Sequence, residues 1–190
     1  MGVELERVFT ERLLGERLRA EHADELFPLL LDDRVWPTLW PHPWPPTSDD
    51  AAAQLAEMIA HWRRGFGLWL LRDRATGAAV GRGGLEVTLA TGREEVEVAW
   101  MIAPDRWGEG LATELARCAL EIAFTHLGLI EVIALTLPHN RASRRVMEKT
   151  GFRYERDLEY ARLPHVLYRS TGGRDLTRQS DTRSFRRRRW

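Results

Sequence analysis

The run from Met101 to Thr113 combines residue types that can bind an anion. It passes from a strand-like stretch through Gly108 and Gly110 into a helix-like stretch that begins near Leu111. Glycines let the backbone turn so that its N–H groups converge, and the first turn of a helix adds unpaired N–H groups and a partial positive charge. A phosphate or diphosphate is the natural ligand of such a turn. Taken alone, the motif is equally consistent with a tight strand-to-helix connection that binds nothing.

Two other phosphate-binding motifs do not fit this run. The nucleoside triphosphatase loop requires Gly-Lys followed by Ser or Thr, whereas Leu111 and Ala112 follow Gly110 and no lysine is near. A dinucleotide-binding turn requires a third glycine where Thr113 stands, and the acidic residue at the right distance, Glu131, begins its strand instead of ending it. Both of these function classes are therefore disfavoured.

A second motif, NRASRRVMEKTGF at residues 140–152, follows the first. It stands in order with TERL at 10–13, WPHPWPPTSDDA at 40–51 and EVAWMIAPDRWGEGLATEL at 97–115. Together these segments resemble the GNAT superfamily of acyl-CoA-dependent N-acyltransferases, especially the RimJ/RimL-like branch of ribosomal-protein N-terminal acetyltransferases. The resemblance covers about residues 8–170, and the two longer motifs in this order and spacing are quite specific.

The resemblance implies that acetyl-CoA is the co-substrate. Its pantetheine arm would lie like a short strand beside Trp100, Met101 and Ile102, and the N–H of Trp100 would polarise the thioester carbonyl. Asn140 would hold the pantetheine through its amide, cap a helix, or do both. The diphosphate would rest on the backbone N–H groups of Trp107, Gly108, Glu109, Gly110, Leu111, Ala112 and Thr113.

The resemblance also suggests the catalytic side chains. An acceptor amine is mostly protonated at neutral pH, yet only its neutral form attacks. Glu97 would take that proton, directly or through water, with Glu95 and His42 as weaker substitutes, and Ser143 would return a proton to the leaving thiolate. Alternation places Glu97 on the opposite sheet face from Trp100 unless a bulge intervenes. We expect Glu97→Gln to lower turnover most at low pH.

The acceptor pocket is less well defined by the sequence. In the family it is lined by the loop after the first helix and by the second helix, so the candidate wall residues are Trp36, Trp40, His42 and Trp44, although each tryptophan singly is more often a packing residue. Met147 stands where many superfamily members carry a tyrosine acid. Cys118 lies on the inward stripe of its helix, which favours a core role and hence direct transfer without an acyl-enzyme. The acceptor remains open between a protein N-terminus and a small-molecule primary amine.

Hydrophobic periodicity predicts the elements that must position these residues. Helical spacing covers residues 21–31, 51–63, 111–125 and 140–150, strand patterns cover the stretches between and after them, and the prolines of residues 36–46 exclude a helix there. We therefore expect an α+β GNAT fold. Its sheet would be mixed, mostly antiparallel and twisted, with six to seven strands, about four helices and a splayed central parallel pair.

Composition sets the domain boundaries. The 190 residues, 44% of them hydrophobic, suffice for one domain, expected at residues 1–171. Residues 172–190 carry seven arginines against two aspartates and few apolar side chains, which predicts a basic, disordered tail. No apolar run is long enough for a membrane span and residues 1–18 do not read as a secretory signal, so we expect a cytoplasmic protein without membrane association. The single cysteine, Cys118, cannot form a disulfide within the chain and excludes a zinc site of the finger kind, and we expect no metal.

Two questions about partners stay open. The arginines of the tail are compatible with a weak, salt-dependent contact with RNA or the ribosome, and the family is often dimeric, which leaves a homodimer open. The alternative function is a catalytically silent acyl-CoA-binding module that its basic tail docks to RNA or to a protein partner. Release of free thiol from acetyl-CoA on addition of amines distinguishes the enzyme from this module.

Overall fold

The structure is a computed structural model that describes residues 5–39 and 45–172. Within these residues the chain forms one eight-stranded sheet and five α-helices. The strands are β1 (Arg7–Phe9), β2 (Leu13–Arg17), β3 (Leu68–Asp73), β4 (Ala79–Thr88), β5 (Glu95–Ile102), β6 (Glu131–Thr136), β7 (Arg153–Tyr160) and β8 (Leu163–Thr171). The helices are α1 (Ala23–Leu30), α2 (Trp36–Leu39), α3 (Ser48–His61), α4 (Leu111–Glu121) and α5 (Arg141–Lys149). The predicted α+β class is confirmed, with eight strands against the expected six to seven.

The sheet has the strand order β1-β2-β3-β4-β5-β6-β8-β7. Every neighbouring pair is antiparallel except β5 and β6, which run parallel and are connected through α4. A parallel step needs such a crossover, because a hairpin cannot return the chain in the same direction. The ladder of β5 with β6 contains one pair, Glu97 with Ile133, so the expected splayed parallel pair is confirmed.

The two faces of the sheet carry separate apolar cores. One face packs against α4 and α5 and includes Val98, Ile102, Leu115 and Met147. The other face packs against α1 and α3 and includes Met101 together with, from β3 and the two helices, Leu70, Leu26, Leu30 and Leu55. We call these the α4 face and the α3 face. Because successive residues of a strand point to opposite faces, β5 contributes to both cores.

Local sequence explains where the helices that frame the site begin. Thr47 caps α3: its side chain accepts from the N–H of Asp50, and the Asp50 carboxylate accepts from the N–H of Thr47 at 2.8 Å, which is a reciprocal capping box. Gly110 caps α4 with a left-handed φ of 84°, and Asn140 caps α5 through its side chain. The caps of α4 and α5 fix the entry points of the two helices that border the splay.

Two elements differ from the sequence prediction. The exclusion of helix from residues 36–46 is wrong at its start, since α2 is a single helical turn with Pro37 near its beginning, where the missing N–H of proline costs nothing. The edge strand β1 was not predicted because its three residues are too few to show alternation. Among the helices of the described ranges, none combines the length and apolar character that crossing a membrane would require.

Candidate active site

The splay between β5 and β6 is the centre of the candidate site. The strands pair at Glu97 and Ile133 and then separate toward their carboxyl ends. On the amino-terminal side of this pair, Arg169 of β8 connects the two strands. Its Nη1 lies 2.8 Å from Oε1 of Glu95 in β5 and 3.1 Å from Oε1 of Glu131 in β6. The sheet is therefore tied at one end of the parallel pair and open at the other.

The backbone of β5 presents polar groups to this opening. The N–H of Ala103 donates to the carbonyl of Val80 in β4, 2.8 Å away. Backbone groups alternate in direction along a strand, so those of Trp100 and Ile102 point away from β4 and toward β6. The carbonyl of Ile102 accepts from the indole Nε1 of Trp107 at 2.7 Å. Met101, between them, presents no backbone group to the opening. Its N–H and carbonyl face β4, and its side chain is buried in the core of the α3 face.

The turn that follows β5 has the geometry of an anion site. Gly108 and Gly110 have φ values of 85° and 84°, a left-handed conformation that favours glycine, and α4 begins directly after them. The N–H groups of Leu111, Ala112 and Thr113 lie in the first helical turn, where no carbonyl of the same helix can accept from them. The N–H of Trp107 is already engaged, because it donates to the carbonyl of Pro104 at 3.1 Å.

Hydrogen bonds and ion pairs of two arginines connect this turn to neighbouring elements. Arg106 donates to Glu109 at 2.8 Å and to Asp73 of β3 at 2.8 Å, and its hydrogen bond lowers the pKa of Asp73 to about 2. Arg12 donates through Nη1 to the carbonyl of Glu109 at 2.9 Å and pairs with Glu114 of α4 at 2.7 Å. The turn is thus held in place by side chains of neighbouring elements before any ligand arrives.

Asn140 and Ser143 lie at the start of α5. The Oδ1 atom of Asn140 accepts from the N–H of Ser143 at 3.1 Å, which confirms the helix cap and leaves the two N–H donors of the amide for a ligand. Ser143 is half-buried, and within the described residues its hydroxyl makes no hydrogen bond. Met147 is fully buried in the core, so this position supplies no acid.

Glu97 lies on the α3 face, opposite the side chain of Trp100. The β4–β5 register runs without interruption and pairs Glu97 directly with Glu86, so no bulge turns it over. Burial, aided by the neighbouring Glu86, raises the pKa of Glu97 to about 8, against the opposing effects of a hydrogen bond from the backbone of Leu135 and the charge of Arg82. Because Leu135 lies in β6 beyond the last ladder pair, the Glu97 carboxyl reaches the opening.

Glu95, the substitute base, is locked in ion pairs. Burial alone would raise its pKa, but hydrogen bonds from Arg169 and Arg93 bring that pKa down to about 2. Cys118 is partly buried and packs against the core of the α4 face, and burial raises the pKa of its thiol. Neither residue has the properties of a base or nucleophile near neutral pH.

The expected acceptor wall is described only in part. Trp36 is half-buried in α2 and donates through its indole N–H to Asp33 at 3.1 Å. Trp40, His42 and Trp44 lie outside the described residues, as do all but the first residue of the expected tail 172–190. Within residues 5–39 and 45–172, no group of three or more His, Cys, Asp or Glu side chains is placed to hold a metal ion.

Sequence patterns alone missed Arg82 and Glu86. Both project from β4 onto the face that carries Glu97, and Arg82 is almost completely buried. Their only signal is alternation, which makes Arg82, Gly84 and Glu86 share a face once the register with β5 is known.

Comparison with known proteins agrees with this geometry. The model of the acetyltransferase (GNAT) domain matches residues 12–153, so the chain belongs to the GNAT acetyltransferase family. The family uses acetyl-CoA as acyl donor. A relative in Bacillus subtilis, the uncharacterized protein YkkB, is 33% identical over 104 residues, which cover 55% of this chain and 60% of YkkB. The chain thus spans about 60% of the length of this relative.

Solved structures share the fold at low sequence identity. A Bordetella pertussis protein described as a GNAT-family acetyltransferase has a TM-score of 0.74 and 24% identity, with 86% of this chain and 98% of that chain covered. The RimL ribosomal L7/L12 α-N-protein acetyltransferase in complex with coenzyme A has a TM-score of 0.71 and 16% identity, with 87% and 98% covered. These likenesses establish the fold.

Proposed function

We propose that this protein is an acetyl-CoA-dependent N-acetyltransferase that transfers the acetyl group to a primary amine by direct attack in a ternary complex. The observation that carries the proposal is the splay beyond Glu97 and Ile133, which leaves the N–H of Trp100 facing an opening between two strands. The acceptor is a protein N-terminus or a small-molecule amine. Membership of the family supports acetyl transfer in general.

Donor binding is assigned to backbone groups. The N–H groups of residues 108–113 hold the diphosphate, and the outward-facing backbone of Trp100 and Ile102 bonds the pantetheine amides as a neighbouring strand would. The free amide donors of Asn140 hold the pantetheine from the β6 side of the opening. The exposed turn at Trp107–Gly110 lets the diphosphate enter from solvent.

Acyl transfer from an ammonium acceptor takes two protons from the nitrogen and gives one of them to the sulfur. Glu97 accepts a proton from the ammonium form of the acceptor, directly or through water, and the nitrogen lone pair then forms the bond to the thioester carbonyl carbon. The N–H of Trp100 donates to the carbonyl oxygen while negative charge develops on it. The C–S bond breaks as the nitrogen gives up its second proton, and Ser143 or water relays that proton to the departing thiolate. The raised pKa of Glu97 suits this task because its conjugate acid is close in strength to an ammonium.

Several finer features belong to the proposal. The order and spacing of the motifs favour the RimJ/RimL-like branch, and the RimL structure concerns an enzyme of ribosomal L7/L12. A protein N-terminus is therefore one of the two acceptor classes. Residues 1–171 would form the catalytic domain and residues 172–190 a basic appendage.

The test is turnover by the full-length protein. Acetyl-CoA is incubated with a peptide library and with a panel of small primary amines, and free thiol is measured together with the mass of each product. The proposal predicts thiol release that depends on the amine and equals N-acetyl product. Tight coenzyme A binding with no turnover on any amine would instead identify a silent acyl-CoA-binding module.

A further inference from the structure

We propose that Arg82 recognises a carboxylate on the acceptor, so that the preferred acceptors are molecules carrying both a primary amine and a carboxylate, as amino acids do. The inference rests on the proposed function, because it names the substrate class of the same site. Arg82 has no role in the acyl transfer described above.

The guanidinium of Arg82 is buried, and no residue of the described ranges forms a salt bridge with it. Arg82 is 7% exposed, and within the same ranges its Nε atom has no hydrogen-bond acceptor. The ion pairs of the described residues do not include Arg82, whereas Arg72, Arg106 and Arg169 each contact at least two carboxylates. Glu86 and Glu97 attract this charge from the same sheet face without a salt bridge, and a buried positive charge that no carboxylate contacts directly has lost hydration without an equivalent gain. Such a group is complementary to an anion that arrives with a ligand.

The position of Arg82 points to the acceptor side of the site. In the β4–β5 ladder Arg82 pairs with Met101, and Glu86 pairs with Glu97, so all four share the α3 face. Arg82 therefore lies on the same sheet surface as the proposed base. The backbone groups that would hold the acyl donor lie in the plane of the sheet, at the splay.

The sheet surface between Arg82 and the two glutamates is built from small residues. Gly84 and Ala99 form the pair between them, and neither carries a side chain larger than a methyl group. Gly84 cannot be enlarged, because its φ is +149° and a Cβ atom there would lie 2.5 Å from the carbonyl oxygen of Gly67. In the proposed complex a small acceptor lies along this surface, with its carboxylate toward Arg82 and its amine toward Glu97.

A second unpaired atom lies in α3, the helix that packs on the same sheet face. Within the described residues the Oε1 atom of Gln54 is buried without a donor, and Gln54 is one helical turn from Ala51 and Met58 of the α3-face core. Within the described part of the chain, Nε of Arg82 thus lacks an acceptor. The carboxylate of an amino acid supplies one, which a simple alkylamine does not.

The test compares matched pairs of acceptors with the full-length protein. Each pair consists of an amino acid and its carboxamide, for example δ-aminovalerate and δ-aminovaleramide, or glycine and glycinamide, compared at equal concentrations of neutral amine. We expect wild-type kcat/KM to favour the carboxylate by about 30-fold or more in at least one pair, as for a buried charge pair. Arg82→Met should collapse that ratio to about 1, mainly through KM, and Arg82→Lys should restore part of it.

The control variant is Arg64→Met, which removes an exposed arginine paired with Glu94 and should leave the carboxylate preference unchanged. Melting temperature provides a readout without turnover. Arg82→Met should melt close to wild type, because the desolvation cost that it removes offsets the lost attraction to Glu86 and Glu97. A large drop in melting temperature would indicate a structural partner for Arg82 and would overturn the inference.

The possible failures are distinguishable. If wild type acetylates amines but treats every carboxylate and carboxamide pair alike, the inference fails and the proposed function stands. If Arg82→Met lowers both members of a pair equally, Arg82 acts on Glu97 or on the fold, and the inference also fails. If no amine is acetylated at all, the proposed function fails and the inference falls with it.

Discussion

Arg169 and Glu95 are joined by a hydrogen bond of 2.8 Å that ties β8 to β5 across β6. The same guanidinium contacts Glu131 in β6 and Glu155 in β7, so one side chain links four strands. The last ladder pair of β5 with β6 lies just beyond this cluster, at Glu97 and Ile133. Arg169 therefore determines where the parallel strands stop being held together, and through this the position of the opening.

Replacing Arg169 by methionine should cost both stability and donor affinity. Glu95, whose side chain is 7% exposed, would be left with the exposed Arg93 as a charged partner, and losing one member of a buried pair costs up to about 3–5 kcal/mol. Urea unfolding measures that loss, and steady-state kinetics should show a higher KM for acetyl-CoA. The control is Arg7→Met, which removes an exposed pair with Glu16 and should cost less than about 1 kcal/mol. Equal stability of the two variants would contradict a holding role for Arg169.

The rate advantage that Glu97 provides should grow with pH. Its pKa is raised to about 8, so the carboxylate that accepts a proton is scarce at low pH and becomes abundant as pH rises through that value. The ratio of wild-type to Glu97→Gln kcat/KM should therefore increase toward about pH 9, which reverses the expectation drawn from an unperturbed glutamate. Taking the ratio cancels the ionisation of the acceptor itself. A ratio that stays flat from acidic to alkaline pH would exclude Glu97 as the base.

Glu97 should also make the free energy of unfolding depend on pH. A carboxyl group whose folded pKa is raised favours the folded state at low pH, and this contribution is lost as pH rises from its unfolded value of 4.5 through about 8. The unfolding free energy of wild type should consequently fall relative to Glu97→Gln across that range. Urea unfolding of both proteins at several pH values provides the measurement. If the difference between them did not change with pH, the pKa of Glu97 would not be raised.

The glycine turn before α4 can be tested with a matched pair of substitutions. Gly110→Val and Gly92→Val both place a β-branched residue at a φ near 85°, with no atom closer than 3.8 Å to the new Cβ, so both should destabilise the fold by about 1–3 kcal/mol. Gly92 lies in the turn between β4 and β5 and Gly110 at the proposed diphosphate site. Gly110→Val should raise the KM for acetyl-CoA at least about tenfold, and Gly92→Val should not. A similar KM in both variants would mean that the turn does not bind the donor.

Much of the donor side follows from local sequence. Gly108 and Gly110 indicate a turn whose geometry only glycine adopts easily, and Asn140 indicates a helix cap. Alternation along β5 correctly separates Glu97 from Trp100, because a strand has a fixed period. These features depend on residues close in the chain, which is why sequence patterns capture them.

Other parts of the site depend on contacts between distant segments. The pair between Arg106 and Asp73 joins residues 33 positions apart, and no local pattern indicates it. The raised pKa of Glu97 arises from burial and from Glu86 on another strand, so it requires the register of β4 with β5. Arg82 could not be predicted for the same reason, since its burial, and the lack of a salt-bridge partner for it among the residues that the structure describes, exist only in the folded chain.

The most direct test of the donor site is a calorimetric titration of acetyl-CoA into the full-length protein and into the Gly110→Val and Gly92→Val variants. We predict saturable one-site binding to wild type and to Gly92→Val, and binding at least about tenfold weaker to Gly110→Val. The assignment would be contradicted if wild-type protein took up no acetyl-CoA at millimolar concentration, or if the Gly110→Val variant bound it as tightly as wild type does.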